Sequence, residues 1–368
     1  MNIGSAVSAA AAAVTSTGTS SAGGVVGAPA LVGPRLMRAL AETEVLPGAL
    51  EARVGDRRIE GSTVDEVRHK LATALYERIH AGRPDQQGTG PRTLRDPATE
   101  ALLAEATPHA TTRVRSRRLA SEDGTAVVEL DGVRVRVPED QVVDMPVPAS
   151  RADETYPADA EAGDTGGDGA VGREVLVELA SVRAALSPGF FLVDSSLGKP
   201  AGRPLLRVYL HIAAVDHAPA VWRAVLTRLE AAEVPYRAKV SSSPLLFPRR
   251  DALVVYLPPG SWHAVDEVIA AGTGTGLLGA ETSPFTHELA PGIGVAWEPE
   301  DDRPGRRGMS FGEHRAMAVA TGLVEHALPG AAGSREEAVA AALTEAGVDP
   351  LCPGRGLRSP EFHRREAA

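Results

Sequence analysis

Basic and hydroxylic side chains run through the most strand-like part of this chain, from Arg207 to Arg315. The segments read L-L-R-V-Y-L-H-I, V-P-Y-R-A-K-V, P-R-R-D-A-L-V-V-Y-L, S-P-F-T-H-E-L-A-P-G-I-G-V-A-W-E-P and M-S-F-G-E-H-R. Side chains two apart on a strand point the same way, about 6.6–6.8 Å apart along it. Arg207, Tyr209 and His211 therefore share a face and leave Val208, Leu210 and Ile212 for a core. Arg237 and Lys239 share another face. If the two faces meet, guanidinium groups grip a dianion, Lys239 is a candidate base, and His211 or Tyr209 a candidate acid. Arg249, Arg250, His287 and Arg315 are the remaining candidates for an anion site. Arg315 falls five residues after Ser310, in the first turns of a helix, where a cation opposes the dipole. That placement suggests a purpose other than stability. The same helix start, Ser310-Phe311-Gly312, offers free N–H groups to a phosphate. Each residue also has a plain reading. Arginines on an exposed sheet face are commonly solvated or salt-bridged, His211 fits a satisfied half-buried histidine, and Lys239 can snorkel between apolar neighbours. His287 and Arg315 fit a loop and a helix surface.

Composition narrows the classes. The 368 residues carry a formal net charge of -10, which argues against general nucleic-acid binding. One cysteine, Cys352, excludes an internal disulfide and a Cys-based zinc site and suits a reducing cytoplasm. No apolar run reaches the roughly 20 residues of a membrane span. The S-A-A-A-A-A-V stretch at 8–14 has no basic residue before it, so no secretory signal is expected. Phosphate-loop, kinase, zinc-protease and nucleophile-elbow motifs are absent, and no metal or cofactor is expected.

The elements that must position these side chains follow from periodicity. Residues 1–34 read as a disordered tail of Ala, Gly, Ser, Thr and Val. Leu36, Leu40 and Val45 suggest a short helix. Thr63-Val-Asp-Glu-Val opens another, with Val64, Val67, Leu71, Leu75 and Tyr76 at helical spacing to about His80. Pro97 to Ala106 reads as a helix with Leu102 and Leu103 on its apolar side. Residues 126–137 form a hairpin about Asp131-Gly132. Residues 146–172 are an acidic flexible linker or insertion, since such a structureless run does not belong in a core. Strands are expected at 174–179, 190–193, 205–213, 234–240 and 252–257, and helices at 218–232, after Ser261, at 310–327 and at 334–346. The expected fold is therefore α+β, a mixed sheet with flanking helices over 173–360. A smaller helical and hairpin module over 35–145 and a tail at 361–368 complete it.

The motifs also resemble a known family. S-P-G-F-F-L (187–192), R-V-Y-L-H (207–211), A-A-E-V-P-Y-R-A-K-V (231–240), R-R-D-A-L-V-V-Y-L (249–257), F-T-H-E-L-A-P-G-I-G-V-A (285–296) and S-F-G-E-H-R (310–315) resemble the bacterial HopA-type effector-like family. L-Y-E-R-I-H-A-G (75–82) and A-G-V-D-P (346–350) extend the likeness over about 36–360. Such proteins are encoded in actinobacterial peptide natural-product clusters. The resemblance implies a cofactor-independent lyase in class V lanthipeptide or thioviridamide-like maturation. A separate aminoglycoside-phosphotransferase-like kinase phosphorylates Ser or Thr of a precursor peptide, and the lyase eliminates phosphate to dehydroalanine or dehydrobutyrine. A cyclase or a flavin-dependent cysteine decarboxylase then uses the alkene. On that reading Lys239 is the base, His211 the acid with Tyr209 its rival, and Arg207, Arg237, Arg249, Arg250 and Arg315 hold phosphate. His287 stands where relatives are often more basic. The module at 35–145 would dock the leader peptide or the kinase. The competing expectation is a non-catalytic subunit that recruits the peptide and activates the kinase. An effector acting on foreign proteins is a third.

Overall fold

The computed structural model describes residues 30–83, 94–145, 172–183 and 186–362. Most of the expected tail at 1–34, nearly all of the linker at 146–172 and residues 363–368 lie outside them.

The chain begins with α1 (Pro34–Ala39) and a small antiparallel sheet of β1 (Thr43–Val45), β2 (Glu51–Val54) and β3 (Arg57–Glu60). Val45 thus belongs to a strand rather than to the first helix. α2 (Val64–Leu75) starts as its sequence dictates: the Thr63 side chain accepts from the Glu66 N–H, and Asp65 and Glu66 favour the positive end of the dipole. It continues into a π-helical turn, Tyr76–Ala81, which ends at Gly82 with φ 70°. α3 (Pro97–Ala106) is capped by Asp96; it buries Leu103 and leaves Leu102 to solvent, because neighbours on a helix diverge by about 100°.

A second sheet follows. It comprises β4 (Thr111–Glu122), β5 (Thr125–Leu130), β6 (Val133–Pro138), β7 (Val142–Asp144) and β8 (Glu174–Ala180), in the order β6-β5-β4-β8-β7. Asp131 and Gly132 make the hairpin turn with φ 49° and 81°, the left-handed pair such turns require. β8 pairs with β4 from Thr111↔Ala180 to Arg117↔Glu174. The boundary expected at 146–172 therefore separates strands of one sheet.

The main sheet holds β9 (Phe190–Asp194) and β10 (Leu206–Ile212), then, after α4 (Ala218–Ala231), β11 (Arg237–Ser241) and β12 (Arg249–Leu257). After α5 (Val265–Gly274) come β13 (His287–Ala290) and β14 (Ile293–Trp297), then α6 (Phe311–His326) and α7 (Arg335–Glu345). The strand order is β13-β14-β10-β12-β11-β9. The fold is α+β as expected, but every pairing among the described residues is antiparallel, not mixed. The reason is local: β10 and β11 run the same way across α4, and β12 inserts between them.

One face of the main sheet packs Val208, Leu210, Ile212, Leu253 and Val255 against Trp222, Val225 and Leu229 of α4 and Val268 of α5. The other face gives Tyr209, Val254 and Ala296 to a core shared by Leu36 of α1, Leu71 and Leu75 of α2, Phe311 and Leu323 of α6, and Leu343 of α7. The first elements and the last two helices thus share one core, whereas Ala126, Val128 and Val137 pack with Val175 and Val177 in a small cluster of the second sheet. α6 and α7 start at capping boxes, Ser310 with Glu313 and Ser334 with Glu337.

A shared core has a thermodynamic signature. Leu71→Ala is expected to cost about 2–5 kcal/mol. It should lower the unfolding transition reported by tryptophan fluorescence, although Trp222, Trp262 and Trp297 lie on the opposite layer. A separate early transition that leaves the tryptophan signal in place would show an independent N-terminal module.

Candidate functional site

The α6-facing side of the main sheet floors a cleft of about 1570 Å³. Register sets its floor. Lys239 pairs with Val254 and Val254 with Tyr209; one step along, Arg237 pairs with Tyr256 and Tyr256 with Arg207. Lys239 and Tyr209 are therefore two strands apart, roughly 10 Å at the backbone. Tyr76 and His80 enter from the π-helical turn, Arg315 from α6, and residues 298–310 form a further wall.

Pairing shifts between Leu210↔Leu253 and Ile212↔Arg249, a bulge in β12. Ala252 and Leu253 both join the core under α4 and α5, so the alternation restarts out of step. Arg249 and Asp251 thereby reach the cleft face beside Val254 and Tyr256. Bulges commonly re-aim side chains in this way.

Of the residues selected by sequence, Lys239, Tyr209, Arg207, Arg249 and Arg315 line the cleft. Four do not. His211 lies one step further along β10 under residues 279–281, where its Nδ1 meets the Glu281 carbonyl at 3.0 Å. Burial lowers its pKa, and it lines none of the cleft. Arg250 is turned away by the bulge and held by Glu281 and the carbonyls of Arg78 and Ile79. His287 is exposed and stacks on Phe362 at 5.2 Å. Arg237 is bound bidentately to Asp194, at 2.7 and 3.0 Å. It lines a smaller neighbouring cavity of about 260 Å³ that shares Lys239, Tyr256 and Glu298 with the cleft.

The cleft is less uniformly basic than the sequence suggests. Arg207 is held bidentately by Glu298 and lies 4.9 Å over the Tyr256 ring. Arg249 is held bidentately by Asp251, at 2.7 and 2.8 Å, and donates to the Tyr76 hydroxyl at 2.7 Å. Burial alone would raise the Asp251 carboxyl, but Arg249 more than reverses this and holds it below the usual carboxylate range. Lys239 and Arg315 have no carboxylate within ion-pair distance among the described residues. The Lys239 Nζ lies 4.1 Å from the centre of the Phe190 ring. Arg315 is 2% exposed, and burial pushes its pKa down to about 9. At the helix start expected to bind phosphate, Ser310 caps the Glu313 N–H and the Glu313 carboxylate accepts from the Ser310 N–H, which leaves the Phe311 and Gly312 N–H groups without a partner among the described residues.

Sequence reasoning gave no role to His80, Tyr76 or Asp251. His80 is 2% exposed and boxed by the rings of Tyr76, Tyr209, Phe285 and Phe311. Its Nδ1 meets Ser283 Oγ at 3.0 Å, and its Nε2 lies 3.7 Å from Asp251. A Cβ at Gly312 would stand 2.2 Å from its ring, so only glycine permits this packing. The one signal for His80 was its place in L-Y-E-R-I-H-A-G. Among the described residues no group of three or more His, Cys, Asp or Glu is placed to hold a metal ion, and no helix is long and apolar enough to cross a membrane.

Residues 181–355 match the HopA1 effector protein family, a narrower span than the motif likeness. No curated protein matches the chain. Two solved structures are similar at 17% identity and a TM-score of 0.35. They are the effector proteins from Pseudomonas syringae pv. tomato strain DC3000 and pv. syringae strain 61. Each match covers 45% of this chain and 62% of the other.

The buried histidines make stability depend on pH. Burial pushes His80 and His314 each down to about 4, from an ordinary 6.5. Below about pH 6.5 the unfolded chain takes up protons that the folded chain refuses, so stability is complete above that pH and falls toward pH 4. Asp251 acts lower: its stabilisation is present above the unfolded carboxylate pKa of about 3.9 and is lost as pH falls through its depressed folded value. The urea midpoint should drop between about pH 7 and about pH 5, by roughly half as much in His314→Gln. A midpoint flat over that range would contradict neutral buried histidines.

Proposed function

We propose that this chain, whose segment 181–355 belongs with the HopA1 effector protein family, is a phosphoserine/phosphothreonine lyase acting on a peptide. The observation that carries the reading is an amine and a guanidinium without counter-ions, Lys239 and Arg315, in one cleft with Arg207 and Arg249. The cleft volume of about 1570 Å³ exceeds the roughly 300–1,000 Å³ of small-ligand pockets and suits a peptide.

In this reading Lys239 Nζ, as the neutral amine, takes the Cα proton and becomes the ammonium, the freed electron pair forms the Cα=Cβ bond, and the Cβ–O bond breaks. Phosphate leaves with that bond's electrons. A phosphorylated side chain carries about -1.5 to -2 charge, and cations aimed at the leaving oxygens stabilise it. The departing phosphate gains a further charge unless it takes up a proton, so with His211 outside the cleft the acid role falls in this reading to its rival, Tyr209. Tyr209, pushed up by burial, stays a phenol and can donate a hydrogen bond; Arg207 Nη1 donates to its oxygen at 3.4 Å. The product is dehydroalanine or dehydrobutyrine. The partners of the reading are an aminoglycoside-phosphotransferase-like kinase that supplies the phosphopeptide and a cyclase or cysteine decarboxylase that consumes the alkene, all in the cytoplasm.

Mass spectrometry of a synthetic phosphothreonine precursor peptide tests this, with the protein alone and then with the neighbouring kinase. Loss of phosphoric acid is expected, reduced about 10²–10⁴-fold in Lys239→Ala, the range for removing a general base. Intact phosphate under both conditions, with the peptide still bound, would make the chain a recruiting subunit instead.

A further inference from the structure

Arg315 is held in an unusual way for a buried cation. Its Nε donates to the Pro353 carbonyl at 2.8 Å, and its Nη1 lies 2.7 Å from His314 Nδ1. A guanidinium only donates, so His314 Nδ1 must be a lone pair. The His314 proton therefore sits on Nε2, which is 2.9 Å from Asp301 Oδ2 and donates to it. Asp301 is in turn clasped by Arg303, at 2.8 to 3.2 Å. The row reads Arg303 positive, Asp301 negative, His314 neutral, Arg315 positive. Arg303 is shared between Asp301 and Glu345, the latter at 3.1 Å, and the imidazole separates Asp301 from Arg315. An aspartate or glutamate at 314 would have made an ordinary ion pair; the histidine fixes the guanidinium without neutralising it.

The rest of the surroundings leave the charge open. Phe311 packs against the guanidinium, 4.8 Å from the ring centre. Arg207, Tyr209, Glu298 and Asp301 are its electrostatic neighbours, and Glu298 is bound to Arg207. The Arg315 Nη2 has no partner among the described residues, and the side chain lines the cleft. A buried guanidinium with an unused donor facing a cleft awaits an anion.

We infer that His314, set by Asp301, is a positioning residue that holds Arg315 as an uncompensated cation for a phosphate group in the cleft. The inference deepens the lyase reading, and rests on it for the claim that the phosphate is the substrate's leaving group. Its test does not need elimination. Isothermal titration of the full chain with inorganic phosphate is expected to show binding that weakens about tenfold or more in Arg315→Gln and in His314→Phe, which loses the acceptor. His314→Gln should stay within about threefold, because its amide oxygen accepts from Arg315 while its NH₂ donates to Asp301. With phosphopeptide, His314→Phe should raise KM more than it lowers kcat.

Absence of phosphate binding by the unaltered chain overturns the inference. So does equal weakening in both His314 variants, or unchanged binding in Arg315→Gln. Should His314→Phe fail to fold, His314→Gln against Arg315→Gln decides: only the second should lose phosphate. Phosphate binding lost in Arg315→Gln, with no elimination by the unaltered chain, keeps the anion site and removes the lyase. Elimination with phosphate affinity unchanged in Arg315→Gln does the reverse.

Discussion

The cleft depends on one buried ion pair, Arg249 with Asp251. Both side chains are under a tenth exposed, and a guanidinium in such a place is tolerated only with a well-aimed counter-charge. The bidentate geometry supplies it, and the Tyr76 hydroxyl takes a further donor. The pair exists because β12 bulges. In unbroken alternation Arg250 would share a face with Val254 and Tyr256, and Asp251 would point into the apolar layer under α4. The bulge thus exchanges an exposed arginine for a buried ion pair and draws Tyr76 and His80 onto the sheet.

Compensation also sorts the cations. Arg207 with Glu298 and Arg249 with Asp251 are nearly neutral pairs that shape the floor. An arriving phosphate gains little net charge from them unless it displaces a carboxylate. Lys239 and Arg315 are different, since neither is matched by a carboxylate among the described residues. Lys239 rests against the electron-rich face of Phe190, which accommodates a cation without accepting its proton. The floor arginines Arg207 and Arg249 are thus neutralised, whereas Arg315, and on the walls Arg83, Arg203, Arg306 and Arg358, have no carboxylate within ion-pair distance among the described residues.

Residue types showed where to look but not which side chains would meet. Thr63, Ser310 and Ser334 announce their helices because capping is local chemistry, and Asp131-Gly132 announces its hairpin for the same reason. The strands β1 to β3 are three or four residues long, too short for an alternation to register. Alternation placed Arg207 and Tyr209 on one face correctly, because β10 is regular up to Leu210. It could not place Arg249 and Arg250, because the bulge is a property of the pairing between β12 and β10. His211 shares a face with Tyr209, yet the 279–281 segment covers it, a long-range contact that spacing does not encode. His80 was hidden because its turn is wound wider than an α-helix, so its direction does not follow from a period of 3.6.

That wide turn changes the meaning of the N-terminal elements. Had residues 35–145 only docked a leader peptide or a kinase, their contact with the main sheet would be a polar and separable surface. Instead α2 buries Leu71 and Leu75 in the core that holds Phe311 and Leu323, and its last turn places Tyr76 on Arg249 and His80 beside Asp251. Gly312 at the start of α6 is bare where the His80 ring must sit. The α6 turn that carries Arg315 thus begins against a residue from the N-terminal part. The segment 181–355 supplies the cations, while the wall that keeps Asp251 dry comes from residues before it. The cleft is a product of both parts, and a chain cut down to 181–355 would leave the Arg249–Asp251 pair without its cover.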